Sequence, residues 1–191
     1  MNKGRLEAFS DAVIAVIITL MVLQLKPPAG ASFSSLTVLD PIFLVYILSF
    51  IFLGVFWHNH NLLFQAVSSV NSLVLLVNLN FLFWLSLVPF CLSWIGTDGF
   101  SSSNVLFYGI IIFFSSISFL ILVIILKRVH GDRWTLLKGM PHKRWILMAL
   151  LFYLIGIILS FSFPKIAFFI YSFGILIRIV PALRVEKNLS K

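Results

Sequence analysis

Charged side chains are scarce in this sequence, and their scarcity excludes the commonest class of protein. Of 191 residues only 10% are Asp, Glu, Lys or Arg, whereas 61% are hydrophobic. Soluble domains carry about 25% charged residues, and the surface of a soluble core of this length would need more polar coating than this chain supplies. The composition therefore predicts a membrane protein.

Cysteine and acidic residues are also few. Cys91 is the single cysteine, so neither an intrachain disulfide nor a thiolate metal cluster can form. Six acids stand against fourteen Lys and Arg. In a soluble protein that excess would suggest nucleic acid binding, but in a membrane protein basic residues set the topology. We therefore expect no nucleic acid partner and no cofactor.

Long apolar runs, in contrast, fill the chain. Six runs approach or exceed the length of about 20 residues that crosses a bilayer core, and prolines, glycines and charges separate them. Pro89 lies inside the third run and predicts a kink. Only Pro164 and Lys165 separate the last two runs, so one broken helix is an alternative there. We expect a single all-α transmembrane domain over 1–191, with helices at about 6–25, 41–64, 72–95, 104–126, 145–161 and 166–180.

The basic residues divide unequally between the two sides of this arrangement. If the amino terminus is cytoplasmic, Lys26 and Lys165 lie outside and twelve residues lie inside: Lys3, Arg5, Lys127, Arg128, Arg133, Lys138, Lys143, Arg144, Arg178, Arg184, Lys187 and Lys191. This asymmetry favours a multi-pass protein of the cell membrane with both termini in the cytoplasm. The alternative is a cleaved signal peptide over 1–31, against which Glu7 and Asp11 argue.

Polar side chains collect toward the cytoplasmic ends of the first three helices, although lipid should exclude them. Arg5 and Asp11 are about 120° apart around the first helix and cannot satisfy each other. We expect partners on the second and third helices and a buried hydrogen-bond network. The alternative is that Arg5 and Glu7 reach the lipid headgroups. The polar candidates are Arg5, Glu7, Ser10, Asp11, Trp57, His58, His60, Asn71, Asn78 and Asn80.

Motifs for catalysis and metal binding are missing from the sequence. His58 and His60 point about 200° apart on a helix, so they cannot chelate one ion together. The sequence has no His-Glu-x-x-His, Gly-x-Ser-x-Gly or Walker motif, and we expect neither an enzyme nor a metal site. The backbone-carbonyl selectivity filter known from potassium channels is also missing. Any ion pathway must therefore use helix side chains.

An uncharged stripe runs along the first helix, in line with its polar cluster. The residues Ala12, Val16, Thr19, Leu20 and Leu23 lie within about 100° of the helix surface. Taken alone, such a stripe is typical of helix packing.

The first helix carries Arg-x-x-x-Phe-Ser-Asp at residues 5–11 and ends in Leu-Gln-Leu-Lys-Pro at 23–27. This text resembles the signature first helix of the transmembrane protein 175 family, the endosomal and lysosomal potassium channels and their prokaryotic relatives. Phe-Trp-x-x-His at 56–60 and Val-Pro-Phe at 88–90 resemble the second and third helices of the family. A single six-helix unit is similar to the prokaryotic members.

The resemblance implies a potassium-permeable channel, a homotetramer in the lipid bilayer, whose first helices line a central pore. Its apolar constriction would be Val16, Leu20 and Leu23, with Thr19 beside the pore. Val16 is smaller than the Ile or Leu usual in the family, which leaves the selectivity open. The resemblance also implies a structural network near the cytoplasmic end, for which we select Arg5, Ser10, Asp11, Trp57, His60 and Asn80.

An apolar constriction supplies no oxygens to replace an ion's hydration shell. Ions would keep most of their water, so potassium would be preferred over sodium only modestly and other monovalent cations would also pass. A small secondary transporter that couples protons or cations through Asp11 and the histidines is the chief alternative. A membrane scaffold without transport is another.

Overall fold

The regular structure of the protein is α-helical throughout the residues that the computed structural model describes, 2–25, 40–65, 67–130 and 143–178. The predicted all-α fold is confirmed. The seven helical segments are α1 Lys3–Val22, α2 Asp40–Gln65, α3 Ser72–Ser86, α4 Val88–Asp98, α5 Ser102–His130, α6 Lys143–Ser160 and α7 Pro164–Ile177.

A break at Leu87 divides the third apolar run into α3 and α4. Pro89 lies in the first turn of α4, where its missing N–H leaves no intrahelical hydrogen bond unmade. The two helices together form one apolar stretch of 27 residues, Ser72–Asp98. The kink predicted from Pro89 is therefore present as a short interruption within one span-length segment.

Three stretches in the described ranges are long and apolar enough to cross a bilayer, Ile42–Gln65, Ser72–Asp98 and Ser102–Val129. Helix α1 has 20 residues but contains four charged side chains, and α6 and α7 are shorter. The last two apolar runs form separate helices, with a turn at 161–163 between them. The division into six spans stays a prediction, and the end of the sixth run at 179–180 lies outside the described residues.

Several other sequence predictions also fall on residues that the structure does not describe. These are the segment 26–39, which holds the cleavage site of the signal-peptide alternative, and the basic residues Lys26, Arg133, Lys138, Arg184, Lys187 and Lys191.

Helix α5 lies at the centre of the bundle, with α3 and the α6–α7 pair packed against it, while α1 packs against α2, α3 and α4. The rings of Phe56, Phe81 and Phe119, from α2, α3 and α5, meet in a buried cluster with centroids 5.2–5.5 Å apart. Aromatic rings at such distances favour tilted and edge-to-face contacts. This cluster joins the helices that carry the polar network to the central helix.

Candidate functional site

Helix α1 has one buried face and one uncovered face. The buried face consists of Leu6, Ser10, Ile14, Ile17 and Met21. On a neighbouring face, about 115° around the helix, Val16, Leu20 and Leu23 are 57%, 44% and 69% exposed. The three predicted constriction residues therefore share a face of α1 that the other described residues leave exposed.

Thr19 lies beside them and is exposed. Its Oγ1 donates a hydrogen bond to the backbone oxygen of Ala15, at 2.9 Å. This bond within one helix satisfies the hydroxyl hydrogen without a partner from another helix, and the oxygen can still accept from water.

The buried face of α1 is held by a chain of hydrogen bonds across three helices. Asn78 on α3 donates from Nδ2 to Ser10 Oγ on α1, at 2.9 Å, and Ser10 in turn donates to the Leu6 carbonyl, at 2.8 Å. The Asn78 Oδ1 therefore accepts from His60 Nε2 on α2, at 2.8 Å. His60 also stacks on Phe64, with ring centroids 4.5 Å apart. Ser10, Asn78 and His60 are all buried, and each takes part in at least one of these hydrogen bonds.

A second link between α1 and α2 lies at the edge of this network. The indole Nε1 of Trp57 donates to Asp11 Oδ1 at 3.0 Å, and both side chains are exposed. Four of the predicted network residues, Ser10, Asp11, Trp57 and His60, thus bind partners across α1, α2 and α3. Of the polar side chains of α1, Ser10 and Asp11 have interhelical partners.

Asn80, which we also selected for this network, contacts a different helix. Its Nδ2 donates to Ser118 Oγ on α5 at 2.7 Å, on another side of α3. Residues two positions apart on a helix point about 200° apart, so Asn78 and Asn80 cannot both face α1 and α2. Asn78 occupies the position that the prediction gave to Asn80.

Arg5 lies apart from the hydrogen bonds just described. Its side chain is exposed, and among the described residues neither a hydrogen bond nor an ion pair joins it to the network. Nearby on α1, Lys3 and Glu7 approach to 3.7 Å. Within one chain, therefore, Arg5 does not hold α1 against α2 or α3.

Acidic, histidine and cysteine side chains are too dispersed to form a metal site: in the described ranges, groups of three or more that could hold an ion are absent. His58 is half-buried, whereas His60 is buried and bonded to Asn78.

Arg178, which sequence analysis counted only as a cytoplasmic charge, lies inside the bundle at the carboxyl end of α7. It is 3% exposed, and its Nη1 donates to Ser116 Oγ on α5 at 3.0 Å. The guanidinium carbon is 4.0 Å from the ring centre of Phe56 and 5.4 Å from that of Phe119. One signal in the sequence could have indicated burial, since apolar residues flank Arg178 on both sides.

Comparisons with known proteins match the helices that carry these residues. Residues 5–89, which include most of α1 and all of α2 and α3, match the family "Endosomal/lysosomal potassium channel TMEM175". The chain is 46% identical to a potassium channel of Chryseobacterium sp. (strain P1-3) over 191 residues, the full length of both proteins. It is 30% identical to the rat endosomal/lysosomal proton channel TMEM175 over 97 residues, 48% of this chain and 19% of that protein.

A solved structure resembles the whole bundle. The crystal structure of a lysosomal potassium-selective channel TMEM175 homolog from Chamaesiphon minutus superposes with a TM-score of 0.78 at 26% identity, and the match covers 96% of this chain and 97% of that one. The helical bundle and its apolar helices are those of a membrane channel, not of an enzyme. The chain belongs to the endosomal/lysosomal potassium channel TMEM175 family.

Proposed function

We propose that this protein is a potassium-permeable cation channel of the cell membrane, in which four copies surround a pore lined by α1. The Val16, Leu20 and Leu23 side chains form its apolar constriction, and Thr19 lies beside it. The observation that carries the proposal is the uncovered face of α1, where these three side chains remain exposed although the neighbouring face of the same helix is buried.

Symmetric assembly follows from the position of this face. A single α1 cannot enclose a pore, whereas a closed ring of identical chains brings the same face of each copy to one axis. The network around Ser10, Asn78 and His60 supports α1 from behind, because it bonds only the face that points into the chain. The polar network is thus structural, and ions do not bind it.

Potassium is the proposed permeant ion because the full-length relative from Chryseobacterium is named a potassium channel. A ring of Val and Leu side chains offers ions no ligands, so they pass with most of their hydration shell. Weakly hydrated potassium is then favoured modestly over sodium. A small movement of α1 that narrows the ring would expel water and stop conduction.

The variant Leu20→Asn tests this proposal. In a pore the amide meets water, so we expect a higher potassium flux from proteoliposomes, a weaker preference for potassium over sodium, and an unchanged oligomer. The matched control is Met21→Asn, one residue further on and 0% exposed. Its amide is buried without partners, at a cost of about 1–3 kcal/mol, so it should lower the melting temperature without raising flux.

Two results would contradict the proposal. An unchanged flux in Leu20→Asn, together with reduced stability, would place this face in a packed interface. Flux in the wild-type protein that saturates and requires a second ion would instead favour the coupled transporter.

A further inference from the structure

A groove of about 340 Å³ opens along the surface of α4. This α4 groove is lined by Phe90, Ser93, Trp94, Thr97 and Asp98. Its volume lies in the range of small-ligand sites, roughly 300–1,000 Å³. Asp98 ends the 27-residue apolar stretch Ser72–Asp98, which is longer than the roughly 20 residues that cross a bilayer core. Because Asp98 is charged and ends that stretch, the groove lies at the level of the lipid headgroups.

One wall of the α4 groove is aromatic, and its rings are held in place by packing. Phe90 and Trp94 lie one turn apart on α4, with ring centroids 5.9 Å apart. Phe107 on α5 packs against both, at 5.8 Å from Phe90 and 6.2 Å from Trp94. Aromatic rings attract cations over their faces, and tryptophan attracts them most strongly. This wall therefore suits a cationic group.

The polar groups of the α4 groove can accept hydrogen bonds from a ligand. The indole Nε1 of Trp94 donates to Asp98 Oδ2 at 2.8 Å, and Thr97 Oγ1 donates to the Ser93 backbone oxygen at 3.0 Å. These two hydrogens are therefore already used, whereas the second carboxylate oxygen and the Thr97 hydroxyl oxygen can still accept. A ligand that combines N–H donors with a positive charge complements such a site.

Asp98 also occupies an unfavourable position for an anion. It is the last residue of α4, where the unpaired carbonyl groups already give the helix end a partial negative charge. Lys or Arg is the favoured residue in a last turn, but the last turn of α4 contains neither. A local rule that is broken in this way is typical of a functional site. The carboxylate and the helix end together attract a cation.

We propose that the α4 groove binds the primary ammonium of a phosphatidylethanolamine headgroup. The ammonium donates to Asp98 Oδ1 and lies over the Trp94 ring. A lipid is the occupant because the groove lies at the end of an apolar span, where headgroups are concentrated. A single carboxylate beside aromatic rings suits an organic cation better than a metal ion, which takes about six oxygen ligands. In the proposed topology this lipid belongs to the outer leaflet, whatever ion the channel conducts.

The experiment follows thermal unfolding of the purified full-length protein in detergent micelles that contain added phospholipid with one headgroup and fixed acyl chains. A ligand that binds only the folded state stabilises it in proportion to the logarithm of its concentration. We expect the melting temperature to rise by about 3–5 °C for each tenfold increase in phosphatidylethanolamine above the binding midpoint. Phosphatidylcholine, whose ammonium carries no N–H, should give a smaller rise.

The variant Asp98→Asn assigns the effect to the carboxylate. It keeps an acceptor for the Trp94 indole and removes only the charge, so the rise with phosphatidylethanolamine should disappear. Without lipid the variant should be at least as stable as wild type, because an anion leaves the carboxyl end of a helix. Glu7→Gln is the matched control, since it removes a negative charge on α1 and should keep the full rise. Phosphatidylglycerol, which has no ammonium, should not distinguish Asp98→Asn from wild type.

The variant Phe90→Leu tests the aromatic wall, and Phe83→Leu is its control. Both rings lie on the same apolar stretch and both are 55% exposed, but Phe83 does not line the α4 groove. Phe90→Leu should reduce the rise with phosphatidylethanolamine, whereas Phe83→Leu should leave it unchanged.

The proposal fails if phosphatidylethanolamine leaves the melting temperature of wild-type protein unchanged, or if Asp98→Asn keeps the rise. It also fails if phosphatidylcholine stabilises the protein as strongly as phosphatidylethanolamine. A wild-type protein that ignores phosphatidylethanolamine, but responds to it after Lys26→Gln, would show that the chain's own ammonium occupies the groove instead of a lipid.

Discussion

Asn78 is the residue on which the polar network depends, because both ends of its amide are used. The oxygen accepts from His60 and the nitrogen donates to Ser10, so one side chain joins α3 to both α2 and α1. All three side chains are buried. In such a setting the loss of one partner costs more than the bond itself, since the groups left behind are desolvated and unpaired.

We therefore expect Asn78→Leu, which keeps the branched shape but removes both hydrogen bonds, to lower the free energy of unfolding by about 1–3 kcal/mol. Asn61→Ala is the control, because it removes an exposed hydrogen bond with Gln65 and should change stability by less than about 0.5 kcal/mol. Thermal unfolding in detergent measures both. Equal stability of Asn78→Leu and wild-type protein would show that the network does not hold α1.

For single residues, the sequence predicts which polar side chains join helices better than it predicts the partner that each of them binds. The cost of polar groups in lipid was enough to select Ser10, Asp11, Trp57 and His60. It could not decide between Asn78 and Asn80, because the rotation of α3 about its own axis is set by packing against α1, α2 and α5. Arg178 was counted only as a cytoplasmic charge for a related reason. A count of charges on each side of the membrane does not show whether a long side chain extends into solvent or into the bundle.

Among the helices, the α6–α7 pair shows how closely two elements can approach. Tyr171 packs against Gly109 on α5 and Gly156 on α6, and Tyr153 of α6 packs against Gly174 of α7. Small residues let helices come together in membranes, where no hydrophobic force drives their association. Each large ring here occupies space that a Cβ on the facing glycine would fill.

Gly174→Ala should accordingly destabilise the protein by about 1–3 kcal/mol, because its methyl group overlaps the Tyr153 ring and the packed core cannot absorb it. Gly54 on α2 provides the control, since a Cβ there has no neighbour within 4 Å. Gly54→Ala should be neutral or stabilising by up to about 1 kcal/mol, as alanine favours helix. Unfolding midpoints of the two variants make the comparison, and a neutral Gly174→Ala would refute the packing argument.

Helix boundaries were largely accessible from the sequence, because apolar length and proline act locally. Pro89 interrupts the segment where its missing N–H predicts. Packing between helices was not accessible, because the fit of a tyrosine against a glycine joins residues far apart in the chain and leaves no periodic signal.

The whole molecule is a bundle whose first helix stays partly uncovered, and the proposed assembly covers it. We expect the detergent-solubilised protein to have the mass of four 21.7 kDa chains after correction for bound detergent, measured by light scattering. Leu20→Asn should form the same tetramer, because in the proposed assembly its side chain faces the water of the pore. A monomer or dimer at all concentrations would contradict the channel.

The orientation of the molecule is predicted from its basic residues. Without the buried Arg178, eleven Lys and Arg still lie on the cytoplasmic side of the proposed topology against two outside, so both termini should be cytoplasmic. A tag placed after Lys191 should resist protease added to intact cells and become sensitive once the membrane is permeabilised. Digestion in intact cells would reverse the topology.

The unequal lengths of the helices have a consequence for the surrounding lipid. Helix α7 has 14 residues and is about 21 Å long, whereas the stretch Ser72–Asp98 has 27 residues and reaches about 40 Å. A bilayer core is about 30 Å thick. The bilayer beside the α6–α7 pair must therefore become thinner, while α3 and α4 must tilt or bend at Leu87 to fit. The protein thus deforms the bilayer differently beside α6 and α7 than beside α3 and α4. Lipids with shorter acyl chains should then stabilise the part of the bundle at α6 and α7, and lipids with longer chains the part at α3 and α4.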